Sequence, residues 1–314
     1  MALLAARRPP EVCEAVDAKF RSAAGHTGWV MDAAANYDFG RFGSGTAAAI
    51  ATLERLGAEG RRLRVLDAGC GTGGQLVEIA ALVESRGGSG YLRGVTAETN
   101  PVPPVLQGCV QTLRPGAAEG GVADAPLDES NARWAAAGID LRVYQGFPLE
   151  KLTLDDSLRR LVDDRFDLVL CSWTLLHLCD PLGTLLQLRS LLDVDGVLLA
   201  NGAYVHADVG GIFDAGSIEA MERLLARLAP GELELEICGE PVRWVAEDES
   251  DEWSGGEYVG GHAVNLCWRA GGREPSEAIA AASASCDFTG EVIQRVWHLA
   301  SGAQYSLAAY RLLP

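Results

Sequence analysis

The chain has 314 residues, enough for one large α/β domain with insertions or two small ones, and 48% of them are apolar, so a filled core is available. A formal net charge of −17 and a pI near 4.7 argue against a nucleic-acid binder, which needs a basic face, and disfavour anionic membrane surfaces. Eight cysteines without a C-x-x-C and five histidines without an H-x-x-x-H support neither a zinc ribbon, a disulfide framework nor a metal site, and a reducing, cytoplasmic setting fits them best. The opening Met1-Ala-Leu-Leu-Ala-Ala is too short for a signal peptide, and no apolar run reaches bilayer length. Residues 1–62 read as a helical extension. Pro9-Pro10 starts one helix through Val12, Val16 and Phe20, and a second from about Thr46 sets Ile50, Leu53 and Leu56 on one face and stops at Gly57. Trp29, Tyr37 and Phe39 form an aromatic cluster between them.

The next stretch organises the rest. An apolar run, Leu63 to Leu66, meets Asp67 and then the turn Ala68-Gly69-Cys70-Gly71-Thr72-Gly73-Gly74, after which Leu76, Ile79, Ala80 and Val83 recur at helical spacing. The pattern is strand, glycine turn, helix. Glycines at 69, 71 and 73 permit positive φ and leave no Cβ between backbone and ligand, and the helix behind them offers unpaired N–H groups. Gly69-x-Gly71-x-x-Gly74 also satisfies the dinucleotide fingerprint, a weak signal by itself. Asp67 discriminates, since a carboxylate suits a ligand bearing an ammonium group better than a pyrophosphate. With Asp67, Gly69, Gly71 and Gly73 in place, the segment resembles motif I of class I S-adenosylmethionine-dependent methyltransferases. The resemblance implies that the turn lies against the methionine part of S-adenosylmethionine, with Cys70 between the glycines. It also implies that the N-terminal region is a lid, with Tyr37 closing over the crevice.

Tyr91 to Thr96 reads as the second strand. The family pattern implies a ribose contact here; the chain offers Thr96, Ala97 and Glu98. A helix is expected from Pro103 with Leu106, Val110 and Leu113 on one side, followed by a low-complexity loop over 115–127. Leu141 to Tyr144 is the third strand, and the resemblance sets Gly146 and Phe147 near the adenine, where Phe147 gives only an apolar face. A helix over 155–164 returns the chain.

Arg165 to Trp173 is a buried strand with a polar end. It is followed by His177, Asp180-Pro181, a helix bearing Leu182, Leu185, Leu186 and Leu188, the turn Asp193-Val-Asp195-Gly196, and a strand over 197–202. This order also resembles the methyltransferase fourth and fifth strands and implies Cys171, Ser172 and Trp173 beside the cofactor. Residues 203–273 read as a substrate-side insertion, with a helix face of Ile218, Met221, Leu224, Leu225 and Leu228, an alternating strand at Leu233, Leu235 and Ile237, and another strand at 264–268. In the tail, a helix over 275–284 precedes a hairpin of 291–299 with 305–311, expected to complete the core.

The expected fold is three-layer α/β/α, with a mostly parallel seven-stranded sheet ending in an antiparallel hairpin. Its parts are a 1–62 lid, a 63–202 cofactor-binding core, the 203–273 insertion and a 274–314 helix and hairpin. Ligands in such sheets bind outside the carboxyl ends of the strands. His177 is the candidate general base, its ordinary pKa lying near neutrality. The expected activity is methyl transfer from S-adenosylmethionine to a small molecule, leaving S-adenosylhomocysteine, with no metal, nucleic acid or membrane partner and a homodimer open. The alternatives are a nicotinamide-dependent oxidoreductase and a non-catalytic methyltransferase-like binding subunit.

Overall fold

The computed structural model of the chain describes residues 39–97, 101–113, 132–147, 149, 152, 156–162, 165–172, 174, 181–203, 233–244, 258–271, 293–298 and 304–309. A single 3-10 turn at Gly40–Phe42 leads into α1 (Gly45–Gly57), whose start is fixed by Ser44: its hydroxyl accepts from the Ala47 N–H at 3.1 Å. β1 (Leu63–Ala68) and α2 (Gly74–Ser85) flank the glycine turn, and β2 (Gly90–Thr96) follows. A 3-10 segment at Pro104–Cys109 then enters β3 (Val110–Thr112). After α3 (Ala132–Ala136) come β4 (Ile139–Gln145), α4 (Asp156–Leu161), β5 (Phe166–Cys171), α5 (Pro181–Ser190) and β6 (Leu192–Ala203). β7 (Leu233–Trp244), β8 (Tyr258–Arg269), β9 (Ile293–His298) and β10 (Gln304–Ala309) complete the described elements.

Eight strands form one sheet in the order β3-β4-β2-β1-β5-β6-β8-β7. The pairings from β3 to β6 are parallel; β8 runs antiparallel between β6 and β7. Apart from the three-residue edge strand β3, this is the expected seven-stranded, mostly parallel sheet closed by an antiparallel pair. Alternation along the strands divides the core between its faces. Leu66, Ala68, Val169, Cys171 and Ala200 pack on one side with Leu185 and Leu188 of α5. Leu63, Val65, Leu168 and Leu170 pack on the other with Leu53 and Leu56 of α1 and Leu76, Ile79 and Val83 of α2.

Three local expectations are corrected. The helix expected from Pro103 is a short 3-10 segment and an edge strand: Pro103 and Pro104 supply no N–H, Gly108 weakens any helix, and Val110 to Thr112 pair with Val143 to Gln145 instead. The strand expected to begin at Val197 begins at Leu192, and the Asp193–Gly196 turn is an irregularity within it, where Asp195 takes φ 59°. The third concerns the closing hairpin. β7 and β8, from the stretch read as an insertion, are the strands that extend the sheet beyond β6, while β9 and β10 pair antiparallel as a separate two-stranded sheet. The physical reason lies in β8, where Asn265, Leu266, Cys267 and Trp268 are all buried, as a strand flanked on both edges requires. β7, with Glu234 exposed, is suited to the margin.

A charged cluster ties the amino ends of three strands together, opposite the expected ligand side. The Arg64 guanidinium donates to both oxygens of Asp167, Nε to Oδ2 at 3.1 Å and Nη2 to Oδ1 at 3.0 Å, and Nη2 also donates to Asp193. The Arg64 N–H adds a bond to Asp167 at 2.9 Å, and Arg61 reaches both carboxylates at 3.5 Å.

Candidate functional site

The site grows from the end of β1. Gly69, Gly71 and Gly73 take φ of 93°, 52° and 82°, the left-handed region the sequence pattern implies. The Gly69 and Cys70 N–H groups donate to the Val95 carbonyl at 2.8 and 3.0 Å, and the Gly73 N–H donates to the Cys70 carbonyl at 2.8 Å, folding the turn over the end of β2. A side chain at Gly69 would strike Thr174 and one at Gly73 would strike Leu106, so these two glycines answer to the protein itself. A Cβ at Gly71 would meet no protein atom within 4 Å. Its surface is free to face a ligand.

Asp67 lies in register between Gly94 of β2 and Leu170 of β5, on the face of the sheet shared with α1 and α2. It is 2% exposed, and burial pushes its carboxyl up to about 7. No hydrogen bond or ion pair reaches that carboxylate among the described residues. Two further polar groups nearby are orphaned. The Gln75 side-chain amide, in the first turn of α2, is buried with neither its nitrogen nor its oxygen bonded among the described residues, and the Ser172 hydroxyl just after β5 is equally without a partner among them. Gln75 packs tightly against Gly45 at the start of α1, and a Cβ at Gly45 would also press on Leu170, the neighbour of Asp67. Unpaired buried polar atoms cost about 1–3 kcal/mol each. A zwitterionic amino-acid group, with an ammonium for the carboxylate and polar atoms for the amide and hydroxyl, fits this donor and acceptor set.

The other expected residues gather at the same carboxyl ends. Thr96 is buried at the end of β2, its carbonyl accepting from the Phe147 N–H at 2.8 Å, and Ala97 follows half-buried. Gly146 turns the chain out of β4 with φ 68°, where a Cβ would approach the Leu113 carbonyl to 2.8 Å. Phe147 is wholly buried, 6.3 Å from the Tyr144 ring, and the Cys171 thiol, also wholly buried, is pushed up to about 12 by burial. Both side chains sit in the core with Leu66, Ala68 and Val95, so they can border a ligand only through neighbouring backbone. Cys70 is buried beneath the turn, where its sulfur would be 2.9 Å from a Cβ at Gly94. Tyr37, Glu98, Trp173 and His177 lie outside the described residues.

Sequence reasoning missed Gln75, Thr174 and Gly94. Gly94 carried a usable signal, a glycine inside a strand marking a close approach; here Leu76 and Cys70 leave no room for a side chain. Thr174, whose hydroxyl donates to the Ser172 carbonyl at 3.0 Å, fills the space under Gly69. Among the described residues no cluster of His, Cys, Asp or Glu could hold a metal ion, and no helix is long and apolar enough to cross a membrane.

No curated protein matches the chain. Among solved structures, it is similar to an arsenic(III) S-adenosylmethionine methyltransferase from Chlamydomonas reinhardtii, at 18% identity over 83% of this chain and 73% of that one, TM-score 0.35. It is also similar to the N-methyltransferase NodS from Bradyrhizobium japonicum, at 12% identity over 71% and 94%, TM-score 0.34. The plantazolicin methyltransferase BamL, solved in complex with a triazolic desmethylPZN analogue and SAH, matches at 9% identity over 72% and 84%, TM-score 0.37. The profile of a family described as a methyltransferase domain matches residues 41–202, from the 3-10 turn before α1 to the end of the parallel sheet and over half of the chain. The chain therefore belongs to that methyltransferase-domain family, and the expectation of an S-adenosylmethionine-dependent methyltransferase stands with it.

Proposed function

We propose that the chain transfers a methyl group from S-adenosylmethionine to a small-molecule acceptor. The observation that carries this reading is the Asp67 carboxylate, buried without a partner among the described residues beside a turn of three left-handed glycines. Asp67 holds the ligand's ammonium, and the turn of Gly69, Cys70, Gly71 and Gly73 gives it a backbone surface, open at Gly71. The amide of Gln75 and hydroxyl of Ser172, orphaned on their own, take up its remaining polar atoms. Thr96, Ala97 and Glu98 serve the ribose, while Gly146 and Phe147, with Cys171 and Trp173, border the base and the reacting centre. When bound, S-adenosylmethionine supplies a sulfonium methyl open to in-line displacement. The chain's own contribution is alignment and exclusion of water. His177 accepts the proton of the acceptor's attacking atom, and Tyr37 belongs to the segment that closes over it.

A nicotinamide dinucleotide would bring its pyrophosphate charge beside Asp67, which argues against that alternative. Calorimetry with S-adenosylhomocysteine and with NADH tests the choice. Saturable binding of the first alone is expected; indifference to it at about 1 mM, a level at which even weak ligands register, overturns the reading. Labelled S-adenosylmethionine incubated with fractionated metabolites then identifies the acceptor.

A further inference from the structure

Glu236 lies on β7, in the hairpin that closes the sheet, and far from the glycine turn in sequence. Its carboxylate does not face solvent alone. Oε2 accepts the backbone N–H of Arg41 at 2.9 Å and the Asn265 amide of β8 at 3.2 Å. The fit is close. Gly40 takes φ 56°, and a Cβ there would come within 2.0 Å of the Glu236 oxygen and 2.5 Å of the Asn265 nitrogen. An ion pair from Arg41 to Glu234 at 3.6 Å adds a second, exposed tie between the same turn and the same strand, worth little by itself.

What this contact holds is the entry to α1. Phe39, wholly buried, donates its N–H to the Gly43 carbonyl at 3.0 Å, closing the turn into a compact unit. Ser44 caps the helix directly after it, and Gly45 lies against Gln75 and Leu170 beside Asp67. Thr46 donates to Glu78 of α2 at 3.2 Å, joining the two helices across this seat. The 40–41 backbone thus lies one turn away from the residues packed beside Asp67. Side chains set less than about 1 Å off their productive positions already weaken a site.

We infer that Glu236 is a positioning residue for the cofactor seat: it fastens the turn before α1 to the closing hairpin and so fixes the first turn of α1 against Gln75 and Leu170, the register neighbour of Asp67. The inference rests on the proposed binding of S-adenosylmethionine at that seat. The interaction requires an acceptor oxygen and not a charge, which separates it from general surface electrostatics.

The test uses the full chain, with S-adenosylhomocysteine as calorimetric probe and amide hydrogen exchange over residues 45–57. Glu236→Ala is expected to weaken binding about tenfold and to raise exchange in the first turn of α1, while Glu236→Gln, which keeps the acceptor, restores both to within about twofold. Gly40→Ala, which crowds the oxygen from the other side, should reproduce the Ala effect if Glu236→Ala proves too unstable to study. Equal binding by wild type and a folded disrupting variant overturns the inference, as does failure of the Gln variant to restore. If wild type itself ignores the probe while its α1 exchange still responds to Glu236→Ala, the proposed function fails and the fastening stands.

Discussion

Asp67 carries a titration whose sign can be worked out. Its carboxyl sits near 7 when folded against 3.8 when free, so between those values the folded chain holds the proton and the unfolded chain does not. Its contribution to stability is complete below about 4 and is lost as pH rises through 7. Asp67→Asn should therefore melt higher than wild type at pH 8 without ligand, and the difference should shrink towards pH 5 in paired thermal scans. Ligand binding runs the other way. An ammonium favours the ionised carboxylate, so wild-type affinity for S-adenosylhomocysteine should rise between pH 6 and 8, and calorimetry in buffers of different ionisation heat should find a proton released near pH 7. The glycines make a second contrast. Gly73→Ala meets Leu106 and should cost both stability and binding, whereas Gly71→Ala, left-handed but facing open space, should cost about 1 kcal/mol of stability and yet weaken the same ligand at least tenfold.

The strands divide their labour between their two ends. At the carboxyl ends of β1 and β5 the Asp67 carboxylate and the Ser172 hydroxyl have no partner among the described residues; at the amino ends β1, β5 and β6 satisfy theirs with Arg64, Asp167 and Asp193. Removing one member of such a buried cluster strands the others, at a cost of about 3–5 kcal/mol. Asp167→Ala should lose that much in urea denaturation, while variants retaining a folded population bind S-adenosylhomocysteine with little change, since the cluster lies at the far end of β1. The glycine turn was legible because only glycine tolerates its backbone angles, and Asp67 because its place before the turn is set by local sequence. Gln75 was not. Its isolation is created by Gly45 and Leu170, supplied by elements that meet it only after folding. The segment after Pro103 was misjudged because apolar residues three and four apart suited a helix, although two prolines and a glycine made one costly.

Across the whole molecule, the parallel half of the sheet followed from alternating strand and helix patterns, and its order agrees with a ligand crevice at the carboxyl ends. The closing hairpin did not follow. Two pairs of strands were available, 233–244 with 258–269 and 293–298 with 304–309, and alternation cannot tell which will dock beside β6. The buried run from Asn265 to Trp268 decides it in favour of the first pair.

That arrangement leaves β7 at one margin of the sheet and β3 at the other. β3 is three residues long, and β7 is interrupted on both sides of Pro241, which carries no amide hydrogen. Neither of these two rims presents a long unbroken ladder of unsatisfied backbone groups, so the eight-stranded sheet resists stacking edge to edge into extended aggregates. At its margins, crowded copies of this protein are thereby kept from recruiting one another strand by strand.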